Sequence, residues 1–300
     1  MKQRKGWVLG ALAAVFLAGA GEVVAGPVLD RIVREQTVRI GYRDTSMPFS
    51  YLVAQGDVPV GYSMDLCMKI VERIGALHKL PQVKVVHELV TSANRIDKVR
   101  EGVVDLECGS TTSTAERRRL AEFTIPTFIA ATRFLVRADS PYRSPFDLSG
   151  KRVVTTKGST SEKLFRAFNE DRTLRATLVT ARDHAESFSW VANAEAEAFV
   201  MDDVLLYSLA AQSGRQEAFR VLDERLTIEP LSIMLPQGDP EFKKLVDEEL
   251  TRIILSREIH RIYRKWFESP IPPDNINLRL PMSFLLRDSF KLPSDWIPPN

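Results

Sequence analysis

Short runs of period two alternate with longer runs of helical period along this chain, and that alternation confines the fold to the α/β class. Val38, Ile40 and Tyr42 alternate with polar neighbours as a strand does, and Leu66, Cys67, Ile70, Val71, Ile74 and Leu77 follow at helical spacing. The pattern repeats with a strand over 83–90, a helix over 94–100 that turns Ile96 and Val99 inward, and a strand over 103–108. After the polar turn at 139–145 a second unit begins, with strands at 152–156, 176–180 and 198–201 and a helix through Leu164 and Phe168. A β-like run at 226–235 then leads into helices over 240–255 and 258–267, and the proline-rich stretch 271–300 is expected to lie along the surface.

A small unit inserted into a larger one requires the chain to cross between them twice, and residues 131–138 and 227–235 are the candidate crossings. Two crossing segments make a hinge that closes around a ligand. Periodicity alone leaves open the other reading, ordinary core strands of one large sheet.

A short phrase occurs in two near-copies 49 positions apart, Gly-Ser-Thr-Thr at 109–112 and Gly-Ser-Thr-Ser at 158–161. Each follows a β-like run and is read as a loop opening a helix, where hydroxyls, free N–H groups and the positive end of the helix gather around an anion. Two such loops on different units favour a small amphoteric ligand with a carboxylate.

Lys2, Arg4 and Lys5 precede an apolar stretch from Trp7 to Ala20, 14 residues long. With Val23-Val24-Ala25 before Gly26, residues 1–25 read as a cleavable secretory signal, since a bilayer span needs about 20 apolar residues. The mature chain is then exported, to a periplasm in a prokaryote. Removing Lys2, Arg4, Lys5 and Glu22 takes the formal charge from +2 to zero (2 − 3 + 1), and with 27% charged residues and no sustained basic stripe nothing points to nucleic acid. Cys67 lies in a helical run and Cys108 in a strand run. Their distance is not fixed by sequence, and the reading taken is two buried thiols rather than a disulfide.

Enzyme signatures are sparse. The histidines His78, His87, His184 and His260 are scattered, so no metal site is expected, and there is no Gly-x-Gly-x-x-Gly, Walker-type loop or Gly-x-Ser-x-Gly elbow. Ser159 or Ser161 with His184 and Asp202 could be drawn as a hydrolase triad, but a binding role accounts for the same residues more simply. Asp202 and Asp203 are adjacent on a strand and so point to opposite faces, with only one available to a site.

The ordered set Gly41-Tyr42-Arg43, Pro48-Phe49-Ser50-Tyr51, Gly61-Tyr62-Ser63-Met64-Asp65, Thr91-Ser92-Ala93-Asn94-Arg95, Glu107-Cys108-Gly109-Ser110-Thr111-Thr112, Glu116-Arg117, Thr160-Ser161-Glu162, Asp183-His184, Phe199-Val200-Met201-Asp202-Asp203 and Ile271-Pro272-Pro273 covers nearly the whole mature chain. It resembles the family-3 periplasmic solute-binding proteins of amino-acid ABC transporters, and within them the glutamate/aspartate-binding members. The resemblance implies a type II two-lobed α/β fold with two hinge-crossing strands and the ligand in the interlobe cleft. Lobe 1 would comprise 26–134 and 232–300, and lobe 2 would comprise 135–231.

It further implies that Arg43, Ser92, Arg95 and His184 hold a side-chain carboxylate, that Ser110, Thr112, Arg117 and Thr160 hold the α-carboxylate, and that Asp202 takes the ammonium. Three arginines and one aspartate suit a ligand with two carboxylates and one ammonium. The implied partners are glutamate or aspartate and a membrane permease, with the protein a monomer and no cofactor. Helical phase allows only one of Arg117, Arg118 and Arg119 to face the cleft. Ser159 stands where the relatives carry threonine, and Pro230 and Pro236 set the second crossing apart. On this architecture some relatives act as dehydratases on cyclic carboxylic acids, and a sensory amino-acid-binding module is a further alternative.

Overall fold

The computed structural model describes residues 26–54 and 56–296; the signal reading at 1–25 lies outside them. Helix α1 (Pro27–Glu35) leads into β1 (Thr37–Tyr42), a small hairpin of β2 (Thr45–Ser46) and β3 (Ser50–Tyr51), and helix α2 (Tyr62–Leu77). Then come β4 (Lys84–Leu89), α3 (Arg95–Arg100), β5 (Leu106–Thr112), β6 (Glu122–Phe123) and the long β7 (Phe128–Arg137). The second unit carries β8 (Arg152–Thr156), α4 (Thr160–Asp171), β9 (Thr177–Ala181), α5 (His184–Ala192), β10 (Ala198–Asp202), α6 (Asp203–Gln212) and β11 (Phe219–Val221). Strand β12 (Thr227–Leu235) returns to the first unit, followed by α7 (Pro240–Leu255), α8 (Glu258–Tyr263) and α9 (Phe284–Ser289).

The sheet order is β4-β1-β5-β12-β7-β10-β8-β9, with β6 beside β12 and β11 beside β7. Strands β4, β1 and β5 run parallel at one end, and β10, β8 and β9 at the other. Between them β7 and β12 pair antiparallel, from Thr227↔Thr132 to Leu231↔Phe128. The crossings are thus strands of one continuous sheet, and its largest apolar cluster runs through both α/β units, Ile40 and Leu250 in the same cluster as Phe188, Phe199 and Leu205. A smaller cluster, confined to the second unit, gathers Phe134, Val153, Phe165 and Val200.

Three expectations need correction. The first Gly-Ser-Thr-Thr is not a loop opening a helix; it is the end of β5, because β12 pairs alongside and extends the ladder through Leu231↔Thr112 and Ser232↔Thr111. Only a short 3-10 turn, Arg117–Arg119, follows it. Cys67 and Cys108 are not free thiols but a disulfide, since α2 packs on β5 and brings their Cα atoms to 6.4 Å. The closing stretch does more than lie along the surface: Leu286 and Phe290 are buried and Lys243 pairs with Asp295 at 3.0 Å. Smaller departures are Leu77, exposed at the last turn of α2, and α4, whose deepest apolar side chain is Phe165 rather than Leu164 or Phe168.

Candidate functional site

The nine residues assigned to a ligand, Arg43, Ser92, Arg95, Ser110, Thr112, Arg117, Thr160, His184 and Asp202, come to the region between the two units, and all but Thr160 are buried. Ser92, Arg95, Ser110, Thr112, Ser159, Thr160, His184 and Asp202 line one cavity together with Met201 and Leu205. Arg43, just past the end of β1, is 1% exposed, and its Nε and Nη1 have no partner. Gly109 makes this possible: a Cβ there would meet the Glu107 carboxylate at 2.4 Å and Arg43 Cγ at 3.0 Å.

On β5, Ser110 and Thr112 are two apart and share a direction, while Thr111 turns the other way and works behind the site. Arg95 Nη1 donates to Thr111 Oγ1 at 2.6 Å, and that hydroxyl donates to Glu107 Oε2 at 2.5 Å. The relay fixes the Arg95 fork and leaves its Nε unpaired. Arg117 donates from Nη1 to the Thr112 carbonyl at 2.9 Å and from Nη2 across the cleft to the Gly158 carbonyl at 3.3 Å. Its neighbours point elsewhere, Arg118 to Ser113 and the Phe123 ring and Arg119 to solvent, as helical phase requires.

The second unit presents two helix starts. Ser159 caps α4 by accepting from the Glu162 N–H at 3.2 Å, which sets Thr160 at the first turn, 3.5 Å from Thr112 across the cleft. Asp183 caps α5 in the same way, accepting from Glu186 N–H at 2.9 Å, and places His184 at the first position. His184 Nδ1 lies 2.7 Å from Thr156 Oγ1, and Thr156 lies 3.0 Å from Ser187 Oγ, so the ring is held and Nε2 stays unpaired.

Asp202 ends β10 and makes no capping bond, leaving Oδ1 buried without a partner. Asp203 goes the other way, accepting from the N–H groups of Ala131 and Val204. Adjacent acids are thus divided between site and scaffold, as strand alternation requires.

Desolvation and crowding of like charge distort the titration of these groups. Burial and the Arg95 guanidinium lower Arg43 to about 10, and burial with Arg95 lowers Arg117 to about 9. Burial also lowers Arg95. His184 is pushed well below its ordinary value by burial, then by Arg43 and Arg95, and is neutral. Asp202 is raised well above the carboxylate range by burial, then by Glu229 and Asp203. Cations short of anions stand beside an acid short of a cation, so a zwitterion carrying extra negative charge relieves both.

Glu107, Thr111 and Thr156 were missed from sequence. The signal for Glu107 was an acid inside a buried strand, which demands partners. Glu229 on β12, buried and with Oε2 unpaired, was missed as well.

Residues 38–269 match the bacterial extracellular solute-binding proteins, family 3. The chain belongs to that family. Among family 3 relatives, an L-glutamate/L-aspartate-binding protein of Pseudomonas aeruginosa is 41% identical over 89% of this chain and 88% of its own length. A glutamate/aspartate import solute-binding protein of Escherichia coli is 36% identical over 90% of this chain and 89% of its own.

Among solved structures, a mutant of the arginine-binding protein of T. maritima superposes with a TM-score of 0.71 at 22% identity, covering 80% of this chain and 98% of that one. The cysteine-binding protein of Campylobacter jejuni gives 0.68 at 24%, covering 79% and 92%. An ancestral amino-acid-binding protein, described as a precursor of cyclohexadienyl dehydratase, gives 0.68 at 27%, covering 80% and 99%. The two-lobed type II fold of family 3 is therefore the fold of this chain. Among the described residues no helix is long and apolar enough to cross a membrane.

Proposed function

We propose that this protein is the extracytoplasmic solute-binding subunit of an ABC importer and binds an acidic amino acid, L-glutamate or L-aspartate. One observation carries the reading: unpaired Nε–H groups of the buried Arg43 and Arg95 and the unpaired Nε2 of His184 accompany a buried Asp202 with a free oxygen. A distal carboxylate fits Arg43, Ser92, Arg95 and His184; an α-carboxylate fits Ser110, Thr112, Arg117 and Thr160; the ammonium fits Asp202. The central void is ≈ 10 Å³, room for about one water, so an amino acid gains access only when the lobes part.

We take lobe 1 as 26–134 with 232–300 and lobe 2 as 135–231, closing about β7 and β12, with residues 1–25 directing export to the periplasm. The closed monomer would present its ligand to a membrane permease. The names of the Pseudomonas and Escherichia relatives support the ligand class.

Calorimetric titration of the refolded, ligand-stripped mature protein with L-glutamate, L-aspartate and L-glutamine tests the reading. Binding of either acid with little response to glutamine is the expected result, since glutamine leaves a desolvated arginine unpaired at a cost of about 2–5 kcal/mol. Equal binding of glutamine, or no heat with any of the three, overturns it. Mass spectrometry of the recovered ligand tests binding against dehydratase chemistry: the ligand should return unchanged.

A further inference from the structure

Behind the arginines proposed to hold the distal carboxylate, one hydroxyl stands between a buried acid and a guanidinium. Glu107 and Thr111 are both fully buried on β5, and Arg95, also buried, opens α3. Arg95 Nη1 lies 2.6 Å from Thr111 Oγ1, and that oxygen lies 2.5 Å from Glu107 Oε2. A guanidinium can only donate, so the hydroxyl accepts from Arg95 and gives its single proton to Glu107. Strand β5 is bent to allow this. Two steps along β12, from Met234 to Ser232, match four along β5, from Glu107 to Thr111, and such a bulge draws the two side chains together. Gly109 at its centre leaves the room, since a Cβ there would meet Glu107 Oε1 at 2.4 Å.

Among the described residues neither Arg95 nor Arg43 makes a direct ion pair with Glu107. A carboxylate placed straight against a guanidinium closes a two-point, charge-assisted pair that occupies the planar fork. With the hydroxyl between them, Arg95 spends one N–H on Thr111 and keeps its buried Nε–H without a partner. The acid's charge still stands close behind the desolvated cation, which needs it. Arg43 shares that charge: its Cγ is 3.0 Å from the same point beside Gly109, and its Nε and Nη1 are likewise unpaired.

We propose that Thr111 is a positioning residue that sets distal specificity, its hydroxyl holding Arg95 off Glu107 so that the fork is left for the ligand's side-chain carboxylate. The inference rests on the acidic amino-acid reading above. Without the hydroxyl, Arg95 turns onto Glu107, the direct pair closes, and the cleft loses a distal cation.

The test is the ratio of the L-glutamine to the L-glutamate dissociation constant, by calorimetry, because these ligands differ only at the distal group. Thr111→Val, of the same shape without the hydroxyl, should weaken glutamate and lower the ratio about tenfold or more. Thr111→Ser, which restores the hydroxyl, should stay within about threefold of wild type. Adding Glu107→Gln to Thr111→Val removes the carboxylate that captures Arg95 and should raise the ratio again by about threefold or more. Ser232 stands opposite Thr111 on β12 with its hydroxyl buried and unpaired, so Ser232→Ala is the control and should leave the ratio within about threefold.

A ratio in Thr111→Val within about threefold of wild type overturns the proposal, since a merely loosened site weakens both ligands alike. So does an equal fall in Thr111→Ser or Ser232→Ala, or no recovery in the double variant. Should the wild type bind neither acid, the ligand reading fails, and the spacer is judged separately by the crystal structure of ligand-free Thr111→Val. There, an Arg95 nitrogen within hydrogen-bond reach of Glu107 supports it, and an Arg95 side chain left in place refutes it.

Discussion

Gly158 offers a substitution that should weaken binding without altering any group proposed to touch the ligand. Its φ is +77°, and a Cβ built on it would lie 2.7 Å from Ala93 Cα, 2.9 Å from the Ser92 carbonyl oxygen and 3.0 Å from Ala93 N. All three are backbone atoms of the opposite lobe, so they have no rotamer with which to yield. Gly158→Ala therefore carries two costs. The left-handed backbone costs about 1–2 kcal/mol whether the cleft is open or shut, and so lowers stability but cancels from the binding equilibrium. The clash exists only when the cleft is shut and, treated as overpacking, costs about 1–3 kcal/mol. The dissociation constant for glutamate or aspartate should rise about 5- to 150-fold.

Gly214→Ala supplies the control: φ is +66° and nothing stands within 4 Å of the built Cβ, so it should lose stability and keep its affinity. Calorimetry gives the affinities, thermal melts the stabilities, and small-angle scattering with saturating ligand the degree of closure. An affinity within about twofold of wild type in Gly158→Ala, with normal closure, refutes the idea that this contact forms as the lobes meet.

Arg95→Lys keeps the charge but loses the planar fork that spans Thr111 and the cleft, and should raise the dissociation constants for both acidic amino acids about tenfold or more in the same titration. Replacing Cys67 and Cys108 together by serine opens a loop with a separation of 41 residues, worth about 4 kcal/mol in chain entropy, read as a lower urea midpoint. His184 gives a pH signature in the ligand-free protein. Its folded value is depressed from 6.5, so below that pH the unfolded chain takes up a proton that the folded one refuses, and stability falls as pH falls. His184→Gln should remove up to about 1.4 kcal/mol per pH unit from the slope of stability against pH in acid; identical slopes would show that the imidazole titrates freely.

The sequence was legible where a single period governs the chain. Strand β12 and helix α7 emerge at their ends, and the division of labour between Asp202 and Asp203 follows from strand alternation alone. The constellation of arginines came from ordered motifs. What could not be read depends on neighbours distant in the chain. Gly109 to Thr112 is strand rather than loop because β12, more than a hundred residues later, pairs against it. The disulfide needed the packing of α2 on β5, which no local pattern states. Glu107 and Thr156 serve from behind the cavity, and a supporting side chain becomes visible only once the group it holds has been placed.

Because β7 leaves the first unit and β12 returns to it, everything from Ala138 to Leu226 is an unbroken excursion whose sheet and helices are complete before the return begins. The host sheet cannot be: β12 sits between β5 and β7, so the strand bearing Ser110 and Thr112 lacks one neighbour until residue 235 has emerged. As the chain appears N-terminus first, the later-made unit is thus the first that can fold, while the earlier half waits with an unpaired strand edge. For that interval β5 offers unpaired backbone N–H and C=O groups along one edge, open to pairing with any other extended segment.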